Sequence, residues 1–146
     1  MRRTAPGVLS VVVGVVFGLV GCKDSPTAFD EFKKDPQLAR IAAMPDDTTK
    51  ERLLGDFIES YIADRTCTGP GQCRTMPFGD KPCGGPWTYL VYSTATTDSA
   101  ALHVLVGEYN RLDGLMNVKY GRDSDCMFVL PPNVGCVDGR CQKIAQ

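Results

Sequence analysis

Sulfur is where this sequence has most chemistry to offer. Cys67, Cys73, Cys83, Cys126, Cys136 and Cys141 lie in the body of the chain, and Cys22 stands near its start. Such thiols could ligate zinc, attack an electrophile or oxidise in pairs. Zinc sites favour Cys-x-x-Cys, and no such pair occurs; five residues separate Cys67 from Cys73, and four separate Cys136 from Cys141. A catalytic thiol needs a base. The only histidine, His103, shares the polar side of a helical stretch with Gly107, Asn110 and Gly114, the setting of an exposed surface histidine. Gly-x-Ser-x-Gly and His-Glu-x-x-His are absent, and Gly84, Gly85 and Pro86 precede a strand-like segment, not the helix a phosphate-cradling loop requires. The carboxylate pairs Asp46 with Asp47 and Asp123 with Asp125 sit in polar turns beside helix ends, where capping is the common role. No catalytic residue, metal site or cofactor is expected, and the chain reads as non-enzymatic.

Cys22 is set apart by what precedes it. Arg2 and Arg3 give a positive start, and residues 7–21 are a run of fifteen without charge, ending Leu19-Val20-Gly21 before Cys22. That order is a secretory leader. The run is shorter than the roughly 20 residues a membrane-spanning helix needs. Leu-Val-Gly-Cys after an apolar core resembles the bacterial lipobox, which implies cleavage before Cys22 and acylation of its thiol and new amino terminus. Residues 1–21 are then the lipoprotein signal peptide, 22–28 a lipidated tether containing Pro26, and 29–146 one disulfide-rich domain. Two or more acyl chains attach a protein stably, at about 0.8 kcal/mol per buried methylene, so the membrane is an expected partner through Cys22. Lys23 follows the cysteine where aspartate would resemble an inner-membrane retention signal, which implies an outer-membrane address facing the periplasm.

With Cys22 assigned to lipid, six cysteines remain, and an even set beyond the inner membrane reads as disulfides. Asp138-Gly139 between two short runs is a type I′ hairpin signal. In that register Cys136 faces Cys141 as a non-hydrogen-bonded pair, with Cα atoms about 4.5 Å apart, which predicts a Cys136–Cys141 bridge. Of the remaining four, the preferred pairs are Cys67 with Cys73 and Cys83 with Cys126.

The elements carrying these sulfurs follow from periodicity. Residues 27–44 read as two short helical pieces broken at Asp35-Pro36, the second with Leu38 and Ile41 on one stripe. Thr48 with Glu51 forms a capping box for a helix over about 49–64, whose apolar face is Leu53, Leu54, Phe57, Ile58, Tyr61 and Ile62. Residues 66–86, dense in glycine and proline, read as a rigid cross-linked loop. Residues 87–93 are a strand with large groups on both faces, so covered on both sides or at the centre of a small sheet. Asp98 caps a long helix with Leu102, Leu105, Tyr109, Leu112 and Met116 inward, Ala101, Val106 and Leu115 widening the stripe, and Gly121 as the stop. Residues 126–130 read as a short strand ended by Pro131 and Pro132. The fold class is α+β: two main helices, a few short strands and disulfide staples.

The formal net charge of −1, more negative once Arg2 and Arg3 leave with the leader, argues against nucleic acid as a partner. The candidate binding residues are Phe78, Asp80, Trp87 and Tyr92, on or beside the cross-linked loop. Cys83-Gly-Gly-Pro-x-x-Tyr-Leu-Val-Tyr-Ser, a helix, then Ser124-Asp125-Cys126 resembles small exported bacterial proteins that carry no assigned activity. That resemblance agrees with the domain boundary and the sulfur pairing and implies no function. The expected role is binding or structural, in a lipid-anchored envelope protein; a second possibility is an inhibitor or partner-docking protein acting through residues 67–86, and an enzyme of unknown class is a third.

Overall fold

The computed structural model describes residues 33–145. The expected leader, Cys22, the expected tether and residues 29–32 lie outside the described residues. Helix α1 (Pro36–Ala42) starts as its sequence dictates: the Asp35 carboxylate accepts from the N–H groups of Gln37 and Leu38, Pro36 occupies the first turn, and Leu38 and Ile41 are buried.

Helix α2 spans Asp47–Tyr61 and begins two residues before the expected start. Its cap is Asp46, which accepts from the Thr49 N–H at 2.7 Å, and not the Thr48–Glu51 capping box. Glu51 is drawn inward to an arginine described below, which leaves it no part in capping. The helix also ends early. Asp64 Oδ1 accepts from the N–H and hydroxyl of Thr66, turning the chain away.

Helix α3 spans Ser99–Tyr120 with Asp98 as N-cap, accepting from the N–H groups of Ala100 and Ala101, and with Gly121 left-handed at its stop, φ 57°. All three features were expected. Leu115 departs from expectation, being half exposed. The helix uses the neighbouring side of its face for Asp113 and Asn117, both buried. Replacing Asp98 by alanine is expected to cost about 1 kcal/mol, measured by urea unfolding; no change in the midpoint would mean that packing alone holds this helix start.

Residues 66–86 are not one loop. Strand β1 (Cys73–Phe78) crosses their middle and pairs antiparallel with β2 (Thr88–Ser93) in the register Cys73↔Ser93 to Phe78↔Thr88. Proline at 77 argued against a strand. Thr94 N–H donates to Gln72 O, and counting alternate pairs from there puts Pro77↔Tyr89 at a non-hydrogen-bonded position, where a missing N–H costs nothing. β2 is covered on both sides, as its composition required. Leu90 and Tyr92 join Met76 in the main core with Leu54, Ile58, Leu102 and Leu105, while Val91 faces a second cluster with Cys67, Cys73 and Cys141.

Covering that second face is the hairpin of β3 (Val134–Val137) and β4 (Arg140–Lys143). Asp138 and Gly139 have φ 50° and 74°, the left-handed pair of a type I′ turn. Cys136 does pair with Cys141 in register, but the two are not bonded to each other. The bridges are Cys67–Cys136 and Cys73–Cys141, correcting both the expected Cys136–Cys141 bond and the preferred Cys67–Cys73 bond. The reason lies in the layers: side chains of a cross-strand pair point to one face, and here that face meets Cys67 and Cys73. Backbone bonds seat the hairpin there, from Cys67 N–H to Gly139 O at 2.9 Å and from Cys141 N–H to Arg65 O at 2.8 Å. The third bridge, Cys83–Cys126, joins the preferred pair. Residues 126–130, expected as a strand, form no ladder; Met127, Phe128 and Leu130 are 68 %, 81 % and 65 % exposed.

Candidate functional site

On the segment between β1 and β2, residues 79–87, several hydrogen-bonding side chains converge. Gly79 (φ 85°) leaves β1 in a conformation that glycine alone adopts without strain, and a Cβ there would meet Trp87 Cδ1 at 2.3 Å. Lys81 N–H donates to Gly85 O and Gly84 N–H donates to Lys81 O, closing the tip.

One stripe of α3 grips this segment. Asn110, Asp113, Gly114 and Asn117 recur at i, i+3, i+4 and i+7, so they share a side of the helix. Asn110 Oδ1 accepts from Gly79 N–H at 2.8 Å, and Asn117 Nδ2 donates to Asp80 O. Asp113 Oδ2 accepts from Asp80 N–H at 2.7 Å and from Trp87 Nε1–H at 2.8 Å. Gly114 gives the room: a Cβ there would stand 2.5 Å from Asp80 Oδ2. Expected on the outward polar side, Gly114 is instead the point of contact.

Behind this stripe lies a charge relay that ties loop to core. Asp113 is 2 % and Glu51 7 % exposed, and Arg122 bridges them. Its Nη1 donates to Asp113 Oδ1 at 2.8 Å, and its two terminal nitrogens reach both oxygens of Glu51 at 3.1 and 3.0 Å. The fork geometry suits a guanidinium and no other side chain. Burying two carboxylates on one cation is costly unless every oxygen is satisfied. Here all four oxygens accept hydrogen bonds.

Burial and the negative charges of Asp113 and Glu51 push the Tyr109 phenol up to about 12. Its ring stacks on Phe78 with centroids 4.1 Å apart. A folded-state pKa above the unfolded value of about 10 contributes stability that is fully present below pH 10 and lost as pH rises through about 12. Spectrophotometric titration should therefore show one phenol ionising last, and Tyr109→Phe should flatten the alkaline limb of the stability profile. A variant that keeps the same limb would move that ionisation elsewhere.

On its outer side the loop is tied to the segment after α3. Lys81 is buried; its Nζ donates to Asp125 Oδ1 and to Met127 O, both at 2.9 Å, and lies 5.5 Å from the centre of the Trp87 ring. The same ammonium holds the Asp125 carboxyl below its usual range. Cys83–Cys126 joins the two segments covalently.

The residues singled out in the sequence fall into two groups. Trp87, 39 % exposed, and Asp80 lie on this surface. Tyr92 is buried in the main core with its hydroxyl donating to Ser99 Oγ, and Phe78 is half-buried with its ring stacked on Tyr109 of α3. Cys22 lies outside the described residues. His103 is exposed on α3. The sulfurs of Cys67, Cys73 and Cys141 lie within 4.8 Å of one another, close enough for a metal ion, and all three are engaged in the disulfides Cys67–Cys136 and Cys73–Cys141.

The Glu51–Arg122–Asp113 relay was not legible beforehand, because its members come from two helices and a turn. A partial signal existed: Asn110, Asp113, Gly114 and Asn117 form a polar stripe with a small residue, at helical spacing, beside the apolar stripe. No family model, curated protein or solved structure matches this chain.

Proposed function

We propose that this chain is a lipid-anchored bacterial envelope protein without catalytic activity, whose clamped loop 79–87 and neighbouring segment 125–130 form a docking surface for a protein partner. The observation that carries the docking role is a contrast within one surface. The loop is held by α3 side chains through its backbone at Gly79 and at both ends of Asp80 and through the indole N–H of Trp87, yet the adjoining Met127, Phe128 and Leu130 project into solvent. A rigid loop beside apolar side chains left exposed among the described residues is a combination that recognition surfaces use. The anchoring half of the proposal rests on the leader and on Cys22 in Leu-Val-Gly-Cys.

The two halves are tested separately. Cys22→Ala should release the exported protein from carbonate-washed membranes; retention there sinks the anchor. A photocrosslinking residue at position 128 should trap a discrete protein adduct in cells that the same residue at position 103, on the exposed side of α3, does not. Equal yields from both positions, or none from 128, remove the docking role.

A further inference from the structure

The three disulfides differ in their access to solvent. Cys67, Cys73 and Cys141 are 4 %, 3 % and 2 % exposed, inside the layer between ribbon and hairpin, and Cys136 is partly buried against them. Cys83 and Cys126 are both exposed. Cys126 also has φ 52°, the left-handed region that a residue with a Cβ enters at a cost. On the other side, Cys83 is followed by Gly84 and Gly85, both at positive φ. The loop does not depend on this bridge for its place, since Asn110, Asp113, Asn117 and the Lys81–Asp125 pair hold it separately. Exposed bridges in strained backbone are the ones that exchange with thiols.

We propose that Cys83–Cys126 is a thiol-exchange site, opened by an external dithiol while the two inner bridges stay closed. In the first step a thiolate of the dithiol attacks Cys83 Sγ and forms a mixed disulfide. The Cys83–Cys126 bond breaks with its electron pair on Cys126 Sγ, which then takes a proton. In the second step the dithiol's other thiolate attacks its own sulfur in the mixed disulfide, and Cys83 leaves and is protonated. The bridge has gained two electrons and two protons, and the dithiol has become a disulfide. Cys126 is the leaving side because the Lys81 ammonium is bound by the residues on both sides of it, Asp125 and Met127, and a nearby cation stabilises a thiolate. Opening frees Cys126 from its left-handed conformation and leaves the apolar segment that follows tied to the loop by the Lys81 hydrogen bonds alone.

The experiment uses the oxidised mature protein, graded low concentrations of dithiothreitol, a maleimide quench and peptide mass mapping. Cys83 and Cys126 should label at least tenfold faster than Cys67, Cys73, Cys136 and Cys141, with circular dichroism unchanged. Simultaneous labelling of all six, earlier labelling of the inner four, or labelling only as the dichroism collapses overturns the proposal. With reduced glutathione in place of the dithiol, the mixed disulfide should map to Cys83; a predominant adduct on Cys126 overturns the assignment of the leaving sulfur. Cys83→Ser/Cys126→Ser should fold and lack the fast-labelling pair, and its failure to fold would show the bond to be a structural staple.

Discussion

Replacing Cys67, Cys73, Cys136 and Cys141 together by alanine is expected to lower the unfolding free energy by about 6.5 kcal/mol, more than twice the roughly 3 kcal/mol lost when either bridge alone is removed. The inequality follows from the topology. The bridges close circuits of nearly the same extent, with sequence separations of 69 and 68. Either one alone already holds the hairpin against the Cys67–Cys73 region. The other then closes only a ring of roughly ten residues, for which the chain-entropy contribution is about 3 kcal/mol. The last bridge to go releases a loop of roughly 27 residues, because Cys83–Cys126 stays closed inside it, and adds a larger share. A loss of that size is comparable with the whole stability of an ordinary domain. Urea unfolding of the single-bridge and double-bridge variants measures it. Strict additivity, with each bridge worth the same in either order, would show that the two do not share a circuit.

Arg122→Met is expected to cost about 3–5 kcal/mol, because it leaves Glu51 and Asp113 buried without their cation. The Arg122 side chain is 34 % exposed, so entering water relieves part of the penalty and the lower end of that range is expected. The same substitution should reach the loop. Asp113 loses one of the bonds that orient it, and it holds both Asp80 N–H and Trp87 Nε1–H. The chain has a single tryptophan, so its emission reports on the loop directly and should shift in the folded variant. Removing the buried charge along with the cation, in Glu51→Gln/Asp113→Asn/Arg122→Met, should recover part of the stability, since an uncompensated carboxylate is the main penalty. A loss below about 1 kcal/mol in Arg122→Met would mean that water already solvates the relay.

How far the sequence could be read differs from element to element. Helix α3 was legible because its information is local: Asp98 caps, Gly121 stops, and the apolar side chains step by three and four between them. The β3–β4 hairpin was legible for the same reason, since Asp138 and Gly139 select the turn and the turn sets the register. β1 was missed because its glycine- and proline-rich surroundings obscure a strand that needs β2 as partner. Residues 126–130 have the composition of a strand but pair with no strand among the described residues, and most of them are exposed.

What the chain's order of residues settled alone was therefore the α+β class, the long helix, the hairpin register and the reading of its six inner cysteines as disulfides. Propensity, capping and turn geometry act over a few residues and need no third dimension. Tertiary structure alone decided which sulfurs join, that Glu51 meets Arg122 instead of capping its helix, and that a polar stripe of α3 clamps residues 79–87. Each of those depends on groups far apart in the chain meeting in one place. Two correctly placed cysteines in one hairpin could not reveal that the layer beneath them held better-placed partners.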